Sequence, residues 1–231
     1  MPTGTIKLGA PVYTWGMKLL IATTNKAKAQ ELFQIISAPG LECLSLADAG
    51  MPSSEEVEET GASFAENALL KARHYCALTK IVTVADDSGL EVEALGGKPG
   101  IRSARYAGPQ ATDADRIAKL LAELKETPDD RRQARFVCAA AVVWGGRERV
   151  FIGDVYGRIL RAARGRSGFG YDPIFYYEPL GKTFGEMTRE EKSEVSHRAK
   201  AFRQLGELLR GLPAPERLGG ALDTPLGRDR I

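Results

Sequence analysis

Apolar residues along the chain alternate between short continuous runs and helical spacing. Residues 18–22 (KLLIA) form a brief buried-strand pattern that runs into the polar loop TTNKAK. Ala29, Leu32, Phe33 and Ile36 then recur at i, i+3, i+4, i+7, which predicts an amphipathic helix. Phe64, Ala68, Ala72, Tyr75 and Cys76 mark a second helix, with Thr60 and Ser63 available as caps. Residues 81–85 (IVTVA) read as a buried strand that stops at Asp86 and Asp87. Thr112-Asp113-Ala114-Asp115 opens a third helix carried by Ile117, Leu120, Leu121 and Leu124, ending near Pro128. Residues 135–144 (RFVCAAAVVW) are apolar on both faces, as a central strand requires, and Gly145-Gly146 signals a hairpin returning as 150–156. A capping box at Thr188-Arg189-Glu190-Glu191 starts a last helix, predicted to run unbroken to about Arg210 on Val195, Ala199, Phe202, Leu205 and Leu209.

Crossover-linked strands beside a hairpin predict an α/β fold with a mixed sheet. No repeat of fixed period appears, and no linker splits the chain. The expected organisation is a leader over 1–16, a single domain over 17–210 and a loosely ordered tail over 211–231. Met17 offers an alternative start. The tail carries prolines and glycines but no periodic apolar pattern.

Composition narrows the class of protein. With 231 residues and 43% hydrophobic content, the chain can bury a full core. A net charge of +2 gives no bulk attraction to nucleic acid or acidic membrane. Three widely spaced cysteines (Cys43, Cys76, Cys138) match neither a disulfide framework nor a zinc pattern and fit a reducing compartment. No apolar run approaches the ~20 residues of a membrane span. The first sixteen residues also lack the build of a signal peptide. A cytoplasmic protein with no nucleic-acid or membrane partner is expected.

The candidate chemistry gathers at a few places. Adjacent carboxylates at a strand end face the crevice where α/β sheets bind ligands, and one of the two should point into it, where a divalent cation could neutralise it. An Asx-type turn is the alternative. The GGKPG turn after them folds back over the acidic strand end. In the first loop, Thr23, Thr24 and Asn25 supply donors and Lys26 and Lys28 supply charge at a helix N-terminus, an anion-binding arrangement without P-loop spacing. Taken alone, the loop reads first as an ordinary N-cap with surface lysines. Glu59, in the acidic run EEVEETG, sits at the entrance of the second helix, while Lys71 and Arg73 are expected to face solvent, with a lysine reaching toward phosphate as the alternative. In GRSGFGYDPIF, glycines around aromatics let a loop present flat rings beside an acid, which suits a nucleobase. The alternation of Arg158, Arg161, Arg164 and Arg166 with apolar residues fits an exposed strand edge. Lys192, Ser196, His197 and Arg198 cluster at the start of the last helix, where a solvated face is the default.

Together TTNKAK, EETG, ENALLKAR, ADDSGLEVEALGGKPGIRSARYAG, GFGYDPIF and EMTREEKSEVSHRAKAF, in this order, resemble the inosine/xanthosine triphosphate pyrophosphatase family. The resemblance spans about Met17 to Leu209. The family usually carries glycine where Thr24 stands, and often where Ala27 stands; these departures leave Asn25 and Lys28 in place. The resemblance implies an elongated two-lobed α/β fold with a long mixed sheet, a cleft between the lobes, and a homodimer. It implies Mg²⁺-dependent hydrolysis of a purine nucleoside triphosphate to monophosphate and pyrophosphate. By position, Thr23, Thr24, Asn25, Lys26, Ala27 and Lys28 would hold the triphosphate. Glu59 and Asp87 would bind the metal, with Asp87 as proton acceptor, and Ser88 would touch substrate. Phe169, Gly170, Tyr171, Asp172, Lys192, His197 and Arg198 would surround the nucleoside. Hypoxanthine and xanthine present a 6-oxo acceptor where adenine presents an amino donor. A donor at Arg198 or His197 would therefore be stranded by adenine, at about 1–3 kcal/mol per unpaired buried group. A nucleotide-binding module without turnover, and a pyrophosphatase for modified pyrimidines, are the competing readings.

Overall fold

The computed structural model describes residues 16–211; nearly all of the expected leader and tail lies outside the described residues. The chain order is β1 (Met17–Ile21), α1 (Lys26–Ile36), β2 (Leu41–Ser45), α2 (Phe64–Thr79), β3 (Val82–Val92), α3 (Asp113–Glu123), β4 (Gln133–Trp144), β5 (Arg147–Ile159), β6 (Phe175–Tyr177), β7 (Lys182–Thr183), α4 (Arg189–Val195) and α5 (His197–Arg210). One seven-stranded sheet runs β2-β1-β3-β4-β5-β6-β7. β1 pairs in parallel with β2 and β3, and every later pair is antiparallel, so the sheet is mixed as expected.

Helices cover both faces of the β1-β3-β4 centre. Leu19, Ile21, Val84, Ala140 and Val142 point to one face and pack with Leu32 and Ile36 of α1 and with Ala201, Phe202 and Leu205 of α5. Leu20, Ala85, Ala139 and Ala141 point to the other, against Phe64, Ala68, Ala72 and Tyr75 of α2. Small alanines through β4 let helices approach from both sides, and each fully buried Leu or Val side chain stabilises the fold by ~1.5–3 kcal/mol relative to exposure. Farther along the sheet a third cluster joins Leu90, Val92, Phe136, Ile174, Phe175 and Phe184. Among the described residues no helix is long and apolar enough to cross a membrane.

Three sequence expectations change. The strand expected to stop before the acids continues through them: β3 runs to Val92, and Asp86 and Asp87 pair in register with Ala140 and Ala139 of β4. Mid-strand carboxylates survive there because each meets polar partners on its own face. The last helix is not continuous. Ser196 adopts extended backbone (φ −67, ψ 154), ends α4 and caps α5, its hydroxyl accepting from the Ala199 amide at 3.2 Å. The i, i+4 spacing of Val195 and Ala199 cannot register one extended residue between them, and a serine hydroxyl competes well with continued helix. Finally, β5 ends at Ile159, so Arg161, Arg164 and Arg166 follow the strand and form no part of its edge. Arg161 pairs with Asp129 and Arg164 with Glu186.

Candidate active site

Strand alternation puts the two aspartates on opposite faces of the sheet. Asp86 points toward α1 and α5, where Lys28 Nζ lies 3.2 Å away and Arg198 Nε 3.3 Å away, and the Ser88 hydroxyl donates to it at 2.7 Å. Burial alone would raise its pKa, but the fields of Lys28, Arg198 and Lys71 overcome that and hold the carboxyl well below the usual range. Asp87 points toward α2, where Asn67 Nδ2 donates to it at 3.0 Å. Here burial and the negative charge of Glu59 outweigh Lys71, Lys28 and the Asn67 bond, so its pKa is raised. Two neighbours in sequence thus carry different charge environments.

A cavity of about 550 Å³ opens beside Asp87. Thr23, Thr24, Asn25, Ala27 and Lys28 line it at the β1–α1 junction. Asn25 is the N-cap of α1: its Oδ1 accepts from the amides of Ala27 at 3.0 Å and Lys28 at 3.1 Å. Lys26, which the sequence grouped with this loop, is exposed and does not line the cavity, because the first turn of α1 carries it away from Lys28. Glu59, Ser88 and Asp87 line the middle.

Lys71 is the clearest correction to the sequence reading. It is half-buried in the cavity wall rather than solvent-facing, and its Nζ lies 2.5 Å from Glu59 Oε1. Burial works to lower its pKa, but Asp86, Asp87 and Glu59 together raise it, so the ammonium stays charged. The signal was present: Asn67 and Lys71 sit at i, i+4, adjoining the apolar stripe of Ala68, Ala72 and Tyr75. Arg73 points outward, paired with Glu148.

At the opposite end stand Phe169, Gly170, Tyr171, Asp172, Lys192, His197 and Arg198. The expected solvated helix face is instead buried: Lys192, Ser196, His197 and Arg198 are each at most 7% exposed. The break at Ser196 aims the start of α5 inward. Close approach to the sheet requires Gly153 of β5, where a Cβ would come within 2.2 Å of the His197 carbonyl oxygen. Lys192 Nζ bridges Glu31 and Asp172 at 2.7 Å each, and Arg198 Nη1 bonds Glu31, giving an alternating chain of buried charges. Sequence reading missed Glu31, which faces its cations from the second turn of α1. The rings also divide. Tyr171 is buried, its hydroxyl donating to the Ser103 carbonyl at 3.1 Å, so it is part of the wall rather than a ring held out. Phe169 is half-buried, with the Lys192 ammonium 5.0 Å and the Arg198 guanidinium 5.5 Å from its ring centre. His197 stacks on Phe136 at 4.8 Å, and its Nδ1 has no hydrogen-bond partner among the described residues. Burial first, then the fields of Arg198 and Lys192, push its pKa well below 6.5 and keep the ring neutral.

A mixed α/β sheet with one cleft, cationic and acidic at one end and aromatic with buried donors at the other, defines a protein that binds an anionic, ring-bearing small molecule. The chain belongs to the Ham1 family, whose model matches residues 19–208. It is 48% identical over 196 residues to a dITP/XTP pyrophosphatase of Shigella flexneri, covering 84% of this chain and 98% of that one. A dITP/XTP pyrophosphatase of Geobacillus kaustophilus is 48% identical over 191 residues, 82% of this chain and 93% of its own. Among solved structures, the Ham1 protein of Staphylococcus aureus superposes with a TM-score of 0.75 at 39% identity, covering 84% of this chain and 98% of that one. A nucleoside-triphosphatase, dITP/XTP pyrophosphatase, of Mycobacterium abscessus superposes with a TM-score of 0.67 at 48% identity, covering 82% of this chain and 98% of its own.

Proposed function

We propose that this protein is a dITP/XTP pyrophosphatase that hydrolyses deaminated purine nucleoside triphosphates (ITP, dITP and XTP) to monophosphate and pyrophosphate. The observation that carries the reading is the single cavity shared by Asp87, Lys28, Lys71 and Phe169. Its 550 Å³ suits a ligand of nucleotide size.

Mg²⁺ would be held by Asp87 and Glu59. Both are hard oxygen donors on one cavity, and the charge of Asp87 is only partly offset by protein groups. Among the described residues no cluster of three or more His, Cys, Asp or Glu forms a dedicated metal cage. That agrees with an ion bound through one or two carboxylates and completed by phosphate oxygens and waters. When bound, the ion supplies neutralisation of the phosphate charge.

The chain's own residues do the rest. Asp87, on the cavity wall, accepts the proton of the attacking water. Lys28 and Lys71 meet the negative charge that builds on departing pyrophosphate, assisted by amides at the start of α1. Thr23, Thr24 and Asn25 orient the phosphate chain, and Ser88 lies against substrate beside Asp87. Phe169 stacks on the base. Asp172 holds Lys192 in place, and donors from Lys192, His197 and Arg198 satisfy the 6-oxo group of hypoxanthine or xanthine. Adenine would leave one of them unpaired. Two copies would pair through β5: Ile152 and Tyr156 are 50% and 64% exposed on the face opposite α5. A cytoplasmic location goes with this reading.

The test is pyrophosphate release with Mg²⁺ over a panel of ITP, dITP, XTP, ATP, GTP and dTTP. Strong release from the first three and little from the rest is expected. Saturable ITP binding without release would instead indicate a sensor, and release from dTTP alone a pyrimidine enzyme.

A further inference from the structure

The loop that presents Phe169 is tethered across the cavity mouth by a residue outside the motifs discussed so far. Asp113 is the first helical residue of α3, just after the Thr112 cap. Its Oδ2 accepts the amide of Gly170 at 2.7 Å, and its Oδ1 bonds Arg116 Nη2. Arg116 in turn donates through Nη1 to the carbonyls of Ala104 at 2.9 Å and Ala111 at 2.6 Å. The guanidinium thus locks the carboxylate to the segment that follows the GGKPG turn. Asp113 and Arg116 both line the cavity. On the loop side, Gly168 and Gly170 have positive φ of 76 and 63, conformations that glycine adopts without cost, so little intrinsic stiffness holds Phe169 in place. The loop's other anchors lie on either side of Gly170: the Phe169 amide donates to Asp172 at 2.9 Å, and the Tyr171 hydroxyl reaches Ser103.

We propose that Asp113 is a positioning residue for the nucleoside end of the cleft. It fixes the Gly170 peptide, and with it the Phe169 ring, in the conformation that receives the base. This rests on the reading of the cleft as a nucleoside triphosphate site. Apparent affinity scales with the fraction of molecules whose loop is competent to bind. Loss of a charge-assisted hydrogen bond is large enough to reduce that fraction about tenfold. Asp113 touches no reacting atom, so the turnover step is unaffected.

The experiment compares the full-length wild type with Asp113→Ala, Asp113→Asn and Asp115→Ala. Asp115 belongs to the same helix start, but its hydrogen bonds are those of the capping box with Thr112 and none reaches Gly170. For Asp113→Ala, KM for ITP should rise about tenfold with kcat within twofold. Asp113→Asn, which keeps an acceptor for Gly170, should recover most of that loss. Asp115→Ala should lose thermal stability without a change in KM. Amide hydrogen exchange over residues 168–172 should accelerate in Asp113→Ala and not in Asp115→Ala. That second readout needs no turnover: a wild type that releases no pyrophosphate from ITP would refute the functional reading while exchange still judged the tether. Unchanged exchange in Asp113→Ala, or a KM matching that of Asp115→Ala, overturns the proposal.

Discussion

The two faces of β3 place the same side chain in opposite circumstances. On the α1–α5 face, Asp86 sits between Lys28 and Arg198 and is held firmly ionised. On the α2 face, Asp87 accepts from the Asn67 side chain and the Ser88 amide, but burial and the charge of Glu59 outweigh these and Lys71, and its pKa is raised. The first is a structural ion pair that orders the charged network under the nucleoside end. The second keeps a carboxylate whose charge the protein offsets only in part, facing the cavity. Assignment of acid–base roles from environment rather than residue type follows directly.

The largest expected effect separates the two faces by activity. Asp87→Asn should reduce pyrophosphate release from ITP on the order of 10³-fold while leaving the urea midpoint unchanged or higher, because it removes an under-compensated buried charge. Retention of more than a tenth of the activity would remove Asp87 from its proposed role. The companion variant reverses the pattern. Asp86→Asn leaves Lys28 without its carboxylate and Arg198 with Glu31 alone, and should lower unfolding stability by about 3–5 kcal/mol. If equilibrium unfolding found the two variants equally stable, the contrast between the faces would be lost.

Next in size, Phe169→Ala should raise KM for ITP by roughly 10- to 100-fold, the equivalent of about 1–3 kcal/mol of base stacking, with a smaller change in kcat. A pure kcat effect in steady-state kinetics would move Phe169 away from the base. The smallest effect concerns pH. His197 is neutral in the folded protein, its pKa pushed well below 6.5 by burial and by Arg198 and Lys192. Below pH 6.5 the unfolded chain takes up a proton there that the folded chain does not, so acid favours unfolding. Its contribution should be a loss of stability of up to roughly 1.4 kcal/mol per pH unit as pH falls from 6.5. Urea titrations at pH 7 and pH 5 should show a shallower decline in His197→Gln; parallel declines would mean that His197 is not kept neutral.

Much of this was legible before any coordinates. β1, the start of β3, the hairpin at Gly145-Gly146 and the starts of α1, α3 and α4 follow from periodicity and capping, because those signals are local; the short strands β2, β6 and β7 are not among them. The ordered motifs also brought together Thr23, Asn25, Lys28, Glu59, Asp87, Phe169 and Arg198, all of which line one cavity. Lys71 was misjudged because a lysine on a mixed helix face defaults to solvent. Only the packing of α2 over Asp87 makes it a wall of the cleft. Tyr171 and Phe169 look alike in sequence, yet folding makes one a wall, bonded to the Ser103 carbonyl, and the other a presented ring.

By itself the sequence determined β1, the start of β3, the β4–β5 hairpin, where most helices begin, and which family's motifs the chain carries, since each depends on residues near one another in the chain. Tertiary structure alone decided the direction of each adjacent aspartate, the inward turn at Ser196, and the pairing of Glu31 with Lys192 and Arg198 across more than 160 positions. Charge compensation depends on distance in space, and a carboxylate acquires its role only when folding selects its neighbours.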